Sequence, residues 1–152
     1  MNISIRQATA ADAPIVACFN SLIASETENK SLDQALLQKG VEAILSDPSK
    51  GLYFLAQADG TVVGQTMITY EWSDWRNGTF WWIQSVYVAK EARGAGVFKA
   101  LFNHIHALAT NRPDVCGLRL YVDENNVRAR QTYERLGLKH SHYRMYEMDF
   151  VL

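Results

Sequence analysis

Cysteine and proline are scarce in this chain: its 152 residues hold two cysteines, Cys18 and Cys116, and three prolines. Two cysteines cannot build a disulfide framework, so a hydrophobic core must hold the fold. The pair suits a reducing compartment, and both are expected to be small buried thiols rather than nucleophiles. Neither sign of charge dominates, and a formal net charge of -1 leaves no broad electrostatic footprint for nucleic acid or an anionic membrane. No apolar run nears the roughly 20 residues of a membrane span. The opening MNISIRQATA has no basic stretch leading into an apolar one, so a signal peptide is not expected and a cytoplasmic protein is. Repeats, linkers and low-complexity tracts are absent too. What is present is ordinary globular usage, 48% hydrophobic and 20% charged, at a length that suits one domain spanning 1–152.

Periodicity sketches the elements. Ile3 to Ala8 alternates apolar and polar as a first strand, and Thr9-Ala10-Ala11-Asp12 reads as a capping box. Ile15, Val16, Phe19, Leu22 and Ile23 form a helical stripe that the polar stretch Ser25–Lys30 breaks. A second helix is expected from an N-cap at Ser31, carrying Leu32, Leu36, Val41 and Ile44 and ending before Pro48. Leu52–Ala56, the turn signal Asp59-Gly60, Val62–Trp72, the loop Ser73–Gly78 and Phe80–Val88 predict an antiparallel meander. A third helix should carry Val97, Leu101, Ile105 and Leu108. Leu118, Leu120 and Val122 alternate as another strand, and Asn126 can cap a helix bearing Ala129, Tyr133 and Leu136 that Gly137 stops. Lys139 to Phe150 reads as one or two final strands.

Chemistry concentrates in Val86–Phe102, where a strand, a turn containing Gly94 and Gly96, and a helix N-terminus follow one another directly. Unbonded amides and the positive end of the helix dipole make such a turn a phosphate site, and glycine lets the backbone approach a ligand. Arg93 and Lys99 add positive charge. A plain tight turn is the alternative. The Rossmann fingerprint is excluded because Lys99 stands where a third glycine belongs, and no Gly-Lys-Ser/Thr supplies a P-loop.

Two segments carry a family resemblance. Arg93-Gly94-Ala95-Gly96-Val97-Phe98, preceded by an apolar strand ending in Val88, resembles the Gln/Arg-x-x-Gly-x-Gly/Ala loop of the GCN5-related N-acetyltransferase (GNAT) superfamily. Asn126, Ala129, Tyr133 and Gly137, with Leu138 for phenylalanine, are similar to its Asn-x-x-Ala-x-x-x-Tyr-x-x-x-Gly-Phe pattern. The two lie in the right order with a strand between them, and Val62-Val63-Gly64 falls where the family's third strand begins. The resemblance implies an α/β GNAT fold, a mixed and mostly antiparallel sheet of six or seven strands flanked by four helices in the order βααβββαβαβ(β). It implies an acetyl-CoA-dependent N-acetyltransferase. The pantetheine arm would lie in a gap between the fourth and fifth strands, on Val86-Tyr87-Val88. The pyrophosphate would rest on the turn from Arg93 through Gly94, Ala95, Gly96, Val97 and Phe98 to Lys99. Asn126, with Ala129 and Tyr133, would meet the cofactor arm, and Tyr133 would be the general acid that protonates the departing thiolate.

Two departures qualify the match. Phe98 replaces a small residue, so its ring must turn toward the core. Gln84 stands at the position where relatives place the glutamate that deprotonates the amine. Glu26, Glu28 and Glu71 are the candidate substitutes. The same three, with Trp72 and Trp75 from a segment that holds all four tryptophans, are the candidate acceptor contacts: an aromatic wall and acidic rim for a cationic amine, or else a hairpin or homodimer surface. The expected partners are acetyl-CoA and an amine acceptor (polyamine, aminoglycoside, amino acid or peptide), without nucleic acid or membrane. His140 and His142 lack the third ligand that zinc needs, so no metal is expected. The rival reading is a non-catalytic acyl-CoA-binding module, which loss of the strand carboxylate favours and retention of Tyr133 opposes.

Overall fold

A computed structural model describes residues 1–152. Its elements are β1 (Ile3–Gln7), α1 (Ala13–Glu28), α2 (Gln34–Ser46), β2 (Leu52–Ala58), β3 (Thr61–Ser73), β4 (Gly78–Val88), α3 (Val97–Thr110), β5 (Val115–Arg119) and α4 (Val127–Arg135), with single 3-10 turns at Ala10–Asp12 and Lys90–Ala92. The chain forms two compact units, Met1–Tyr121 and Val122–Leu152.

In the first unit five strands run in the order β1-β2-β3-β4-β5, antiparallel except that β5 lies parallel to β4. The β2–β3 hairpin closes on Asp59 and Gly60, both in the left-handed region at φ 51° and 84°, as a two-residue turn matched to strand twist demands. Alternation along β2 sends Tyr53 and Leu55 to one face, where they pack with Val16 of α1 and Val41 of α2. Phe54 faces the other way, against His104 of α3. Helix α3 buries Val97, Leu101, Phe102, Ile105 and Ala109; Leu108, expected in that stripe, lies at its margin and is partly exposed. Gly64 permits the close approach of α3, because a Cβ there would meet Val97 Cγ1 at 2.8 Å.

Several boundaries differ from those expected. The Thr9–Asp12 capping box forms, with the Thr9 amide donating to Asp12 at 2.7 Å. The polar stretch Ser25–Lys30 does not interrupt α1, which continues to Glu28 and ends on left-handed Asn29. Helix α2 is capped by Asp33 instead of Ser31: its carboxylate accepts from the Leu36 amide at 3.1 Å, which turns Leu36 outward and Leu37 inward. Gly40 lies in the middle of α2, where glycine costs about 0.5–1 kcal/mol relative to alanine. Cys18 is exposed on α1 and Cys116 half-buried on β5, so only the second approaches the buried thiol expected of both.

The second unit contains α4. Asn126 is its N-cap, accepting from the Ala129 amide at 3.2 Å, and Gly137, at φ 97°, follows its end. Residues 139–152 form no strand, which corrects the expected final strands and leaves five strands in place of six or seven. Their apolar residues do alternate, but a strand exists only when its backbone groups find a neighbouring strand. Here Tyr143, Met145, Met148 and Phe150 are exposed.

Candidate active site

Strand β4 has two different edges along its length. From Thr79 to Trp82 it pairs with β3 on one side and with β5 on the other; from Ile83 to Val88 only β3 remains paired. The cause is local. Met67 lies opposite Gln84 and Gln65 opposite Tyr87, so Ser85 and Val86 together face Thr66 alone, a β-bulge with Ser85 in the left-handed region at φ 51°. A bulge bends and over-twists its strand, and β5 itself ends at Arg119, opposite Trp82.

The bulge is held by two fully buried polar side chains. Thr66 Oγ1 donates to the Gln84 carbonyl at 3.1 Å, and Gln65 Nε2 to the Ser85 carbonyl at 3.2 Å. Gln65 Oε1 is left buried and unpartnered, which costs about 1–3 kcal/mol. The flipped amide would be worse, placing that oxygen against the Ser85 carbonyl. The Gln84 side chain is itself engaged, donating to Thr69 Oγ1 at 2.5 Å.

The open edge points its polar groups into the gap. The Ala89 amide bonds the Val63 carbonyl at 2.8 Å while Gly64 sits opposite Val88. That marks Gly64–Val88 as a non-hydrogen-bonded pair, so the Val88 N–H and C=O point away from β3. Val86, inside the bulge, has no partner on β3. Arg93 Nε takes the Val88 carbonyl at 2.9 Å, leaving the Val88 N–H toward the gap. Tyr87 is turned the other way; its backbone meets β3 and its buried ring packs on Phe19 at 4.8 Å.

The gap runs into the turn before α3. Gly94 and Gly96 have φ of 81° and 82°, and a Cβ on either would meet nothing within 4 Å. Backbone conformation requires these glycines, and the space in front of them is empty. Gly96 is the N-cap and offers no side chain; the first intrahelical bond runs from the Ala100 amide to the Gly96 carbonyl at 3.0 Å, so the amides of Val97, Phe98 and Lys99 precede the helical ladder. Ala95 N–H reaches back to the Ala92 carbonyl at 3.4 Å. Lys99 is exposed, and the half-buried Phe98 ring lies 6.3 Å from buried Phe102, turned toward the core as its size demanded. A concave run of backbone N–H groups at a helix N-terminus, with no side chain filling it, fits a pyrophosphate.

Arg93 does more than add charge. Besides the Val88 carbonyl it bonds Glu26 at 3.0 Å, and Lys90 reaches the same carboxylate at 3.2 Å. Desolvation works against ionisation there, but the Arg93 and Lys90 hydrogen bonds prevail and hold the Glu26 carboxyl below its usual range. Glu71 is likewise engaged, accepting from Trp82 Nε1 at 2.9 Å and Arg119 at 2.8 Å, and these bonds, Trp82 first, lower its pKa. Glu28 is exposed beside Lys30 at 4.0 Å.

Beside the bulge lies a cavity of about 270 Å³ between α1, α2 and the sheet, lined by Asn20, Leu37, Gly40, Val41, Ile44, Tyr53, Met67 and Ser85. None of Glu26, Glu28, Glu71, Trp72 or Trp75 lines it. Trp72 stands five residues along β3 from Met67, about 17 Å at about 3.3 Å per residue, and Trp72 and Trp75 are exposed on the far hairpin. Sequence reasoning missed the residues that do line the cavity. The signal available to it was polar Asn20 on the otherwise apolar stripe of α1 and glycine inside α2.

In the second unit Asn126, Ala129 and Tyr133 share one face of α4 at intervals of three and four residues. Burial pushes the half-buried Tyr133 phenol above its ordinary pKa, so it is protonated at neutral pH. No group of three or more His, Cys, Asp or Glu is placed to hold a metal, and no helix is long and apolar enough to cross a membrane.

Comparison with known proteins identifies the family. Residues 16–138 match the acetyltransferase (GNAT) family. The chain belongs to that family. A crystal structure described as a possible acetyltransferase from Clostridium difficile 630 is 47% identical, covers 100% of both chains and superposes with a TM-score of 0.91. An uncharacterized N-acetyltransferase of Methanocaldococcus jannaschii is 34% identical over 87 residues, 57% of this chain; the match spans about half, 52%, of that relative's length. A structure described as a predicted acetyltransferase with acetyl-CoA from Clostridium acetobutylicum shares the fold at a TM-score of 0.77 and 16% identity, covering 97% of this chain and 96% of its own. The GNAT family uses acetyl-CoA, and this GNAT chain has both the open strand edge and the amide-lined turn that suit a long pantetheine arm ending in a pyrophosphate.

Proposed function

We propose that this GNAT chain transfers the acetyl group of acetyl-CoA to a primary amine. The observation that carries the reading is the unpaired edge of β4 beyond Trp82 leading into the turn Arg93–Lys99. The Val86 and Val88 backbone would bond the amide groups of the pantetheine arm, and the turn amides with Gly94 and Gly96 would hold the pyrophosphate. Asn126 and Ala129 would border the arm. The amine nitrogen attacks the thioester carbonyl, and the C–N bond forms as the C–S bond breaks. Tyr133 would give its proton to the departing sulfur, and the tyrosinate so formed would take up the proton that nitrogen releases, directly or through water.

No carboxylate stands ready to deprotonate the amine. Gln84 cannot, Glu26 and Glu71 are bound to cations with lowered pKa values, and Glu28 is exposed and does not line the pocket beside β4. The substrate must therefore arrive neutral, although only about one alkylamine in 10³ is neutral at pH 7 when its pKa is near 10.4. With acetyl-CoA saturating and thiol release as the readout, kcat/KM should rise about tenfold per pH unit from pH 6.5 toward the amine's own pKa. Glu26→Gln and Glu71→Gln should leave the shape of that profile unchanged. A plateau well below the amine's pKa that moves in either variant would identify an enzyme base and overturn this account. Absence of any acetyl-CoA-dependent thiol release with any amine, despite acetyl-CoA binding, would favour the non-catalytic module instead.

A further inference from the structure

We infer that the acceptor is a monoamine carried on a small, uncharged, apolar body, an arylalkyl or branched alkyl amine, seated in the cavity between α1 and α2 with Gly40 at its entrance. The inference rests on the acetyl-transfer reading and narrows it to a substrate class.

The cavity's chemistry points there. Leu37, Val41, Ile44 and Met67 give it apolar walls, and its only polar side chains, Asn20, Tyr53 and Ser85, are neutral. Asn20 donates to the Tyr53 hydroxyl at 3.0 Å, and burial, against hydrogen bonds from Asn20 and Ser85, raises the Tyr53 pKa, so this group too stays uncharged. No lining carboxylate is present to pair with a second ammonium of a polyamine or aminoglycoside. No lining cation is present to pair with the carboxylate of a free amino acid. A charge held among these walls would lack a partner, and one carried past exposed Gly40 would stay in water without gaining a contact.

Size agrees. Pockets for drug-sized ligands run from roughly 300 to 1,000 Å³; at about 270 Å³ and open to solvent past exposed Gly40, this one grips about a single ring or branched chain and leaves the rest of a longer molecule outside. Its polar end is also the correct one. Ser85 belongs both to the cavity lining and to the bulge within the open edge of β4, so an amine bonded at Ser85 and Tyr53 would lie beside the strand proposed to hold the thioester arm.

Gly40 supplies an independent observation. It lies inside a helix that would be firmer with alanine, it has no left-handed φ, and an added Cβ would meet nothing within 4 Å. Neither backbone conformation nor packing within the protein calls for glycine there. It lines the cavity yet is exposed, so a side chain at this position would extend over the opening.

The test uses the full chain and four amines: 2-phenylethylamine, isoamylamine, spermidine and kanamycin. With acetyl-CoA at pH 8.5, kcat/KM by thiol release should be at least tenfold higher for the first two than for the last two. Calorimetry without acetyl-CoA should show 2-phenylethylamine binding the wild type. Gly40→Phe should weaken that binding at least tenfold while acetyl-CoA affinity stays within about twofold. Gly40→Ala should raise the Tm, confirming that the helix itself does not need the glycine. Spermidine or kanamycin equal to or better than the apolar amines, or undiminished 2-phenylethylamine binding in folded Gly40→Phe, would overturn the inference and leave acetyl transfer standing. Failure of acetyl-CoA itself to bind would instead remove the reading beneath it.

Discussion

Gly96→Asp should abolish measurable CoA binding, a loss of at least 100-fold by calorimetry, in a protein that remains folded. The position leads into the amide-lined turn, and the empty space before its Cα is where the phosphates are proposed to sit. Two unit charges 4 Å apart interact by about 4 kcal/mol at an effective dielectric of 20, and aspartate would set that repulsion against the pyrophosphate. The turn's own attraction would be lost as well, since a carboxylate is a natural occupant of a helix N-terminus. Backbone strain is the confounding effect, because φ at Gly96 is 82° and any side chain there is disfavoured. Gly96→Asn controls for it: asparagine has nearly the same size and tolerates left-handed backbone comparatively well. The asparagine variant should lose no more than about tenfold. Equal losses in the two variants would trace the effect to the backbone alone, and unchanged affinity in folded Gly96→Asp would remove the phosphate assignment.

Tyr133→Phe should lower kcat by about 10²–10⁴-fold, the usual contribution of general acid catalysis, while CoA affinity and the circular dichroism spectrum stay as in the wild type. The substitution keeps the ring and deletes only the hydroxyl. Burial raises the Tyr133 pKa, so the phenol holds its proton throughout the neutral range. The donor is lost only as pH rises through that raised value, and any alkaline fall in kcat should therefore lie above the ordinary tyrosine range near 10. Unchanged kcat, with single-turnover kinetics showing chemistry to be rate-limiting, would assign Tyr133 a packing role only.

The parts of the fold that sequence made legible are those that local rules determine. Asp59-Gly60 specifies a two-residue turn, the stripe of α3 specifies its buried face, and Asn126 and Gly137 mark the two ends of α4. The motif Arg93–Phe98 was readable for the same reason, since glycine before a helix leaves a contiguous trace in the chain. The cavity was not readable in this way. Asn20, Tyr53, Met67 and Ser85 come from α1 and three strands, and only tertiary packing assembles them. The carboxylates misled in a related manner. Glu26 and Glu71 look available in sequence, but the cations that occupy them, Arg93 at a distance of 67 residues and Arg119 at 48, are distant in the chain. The tail failed for the opposite reason: alternation describes a strand's faces but cannot supply its neighbour.

Helix α1 carries Asn20 at the pocket and Glu26 at the cationic pair Arg93 and Lys90 before α3, six residues apart and so about 9 Å along the helix at about 1.5 Å per residue. A phosphate drawn to Arg93 would compete with Glu26 for the same guanidinium, and a change in that contact would reach Asn20 if α1 moves as one body. The two ligands would then not bind independently. Thermodynamic linkage requires the influence to be mutual, so acetyl-CoA should change the affinity for 2-phenylethylamine by the same factor by which 2-phenylethylamine changes the affinity for acetyl-CoA. Paired titrations, each ligand in the presence and absence of the other, measure that factor. Replacing Glu26 with glutamine should bring it toward one, turning two communicating sites into two separate ones.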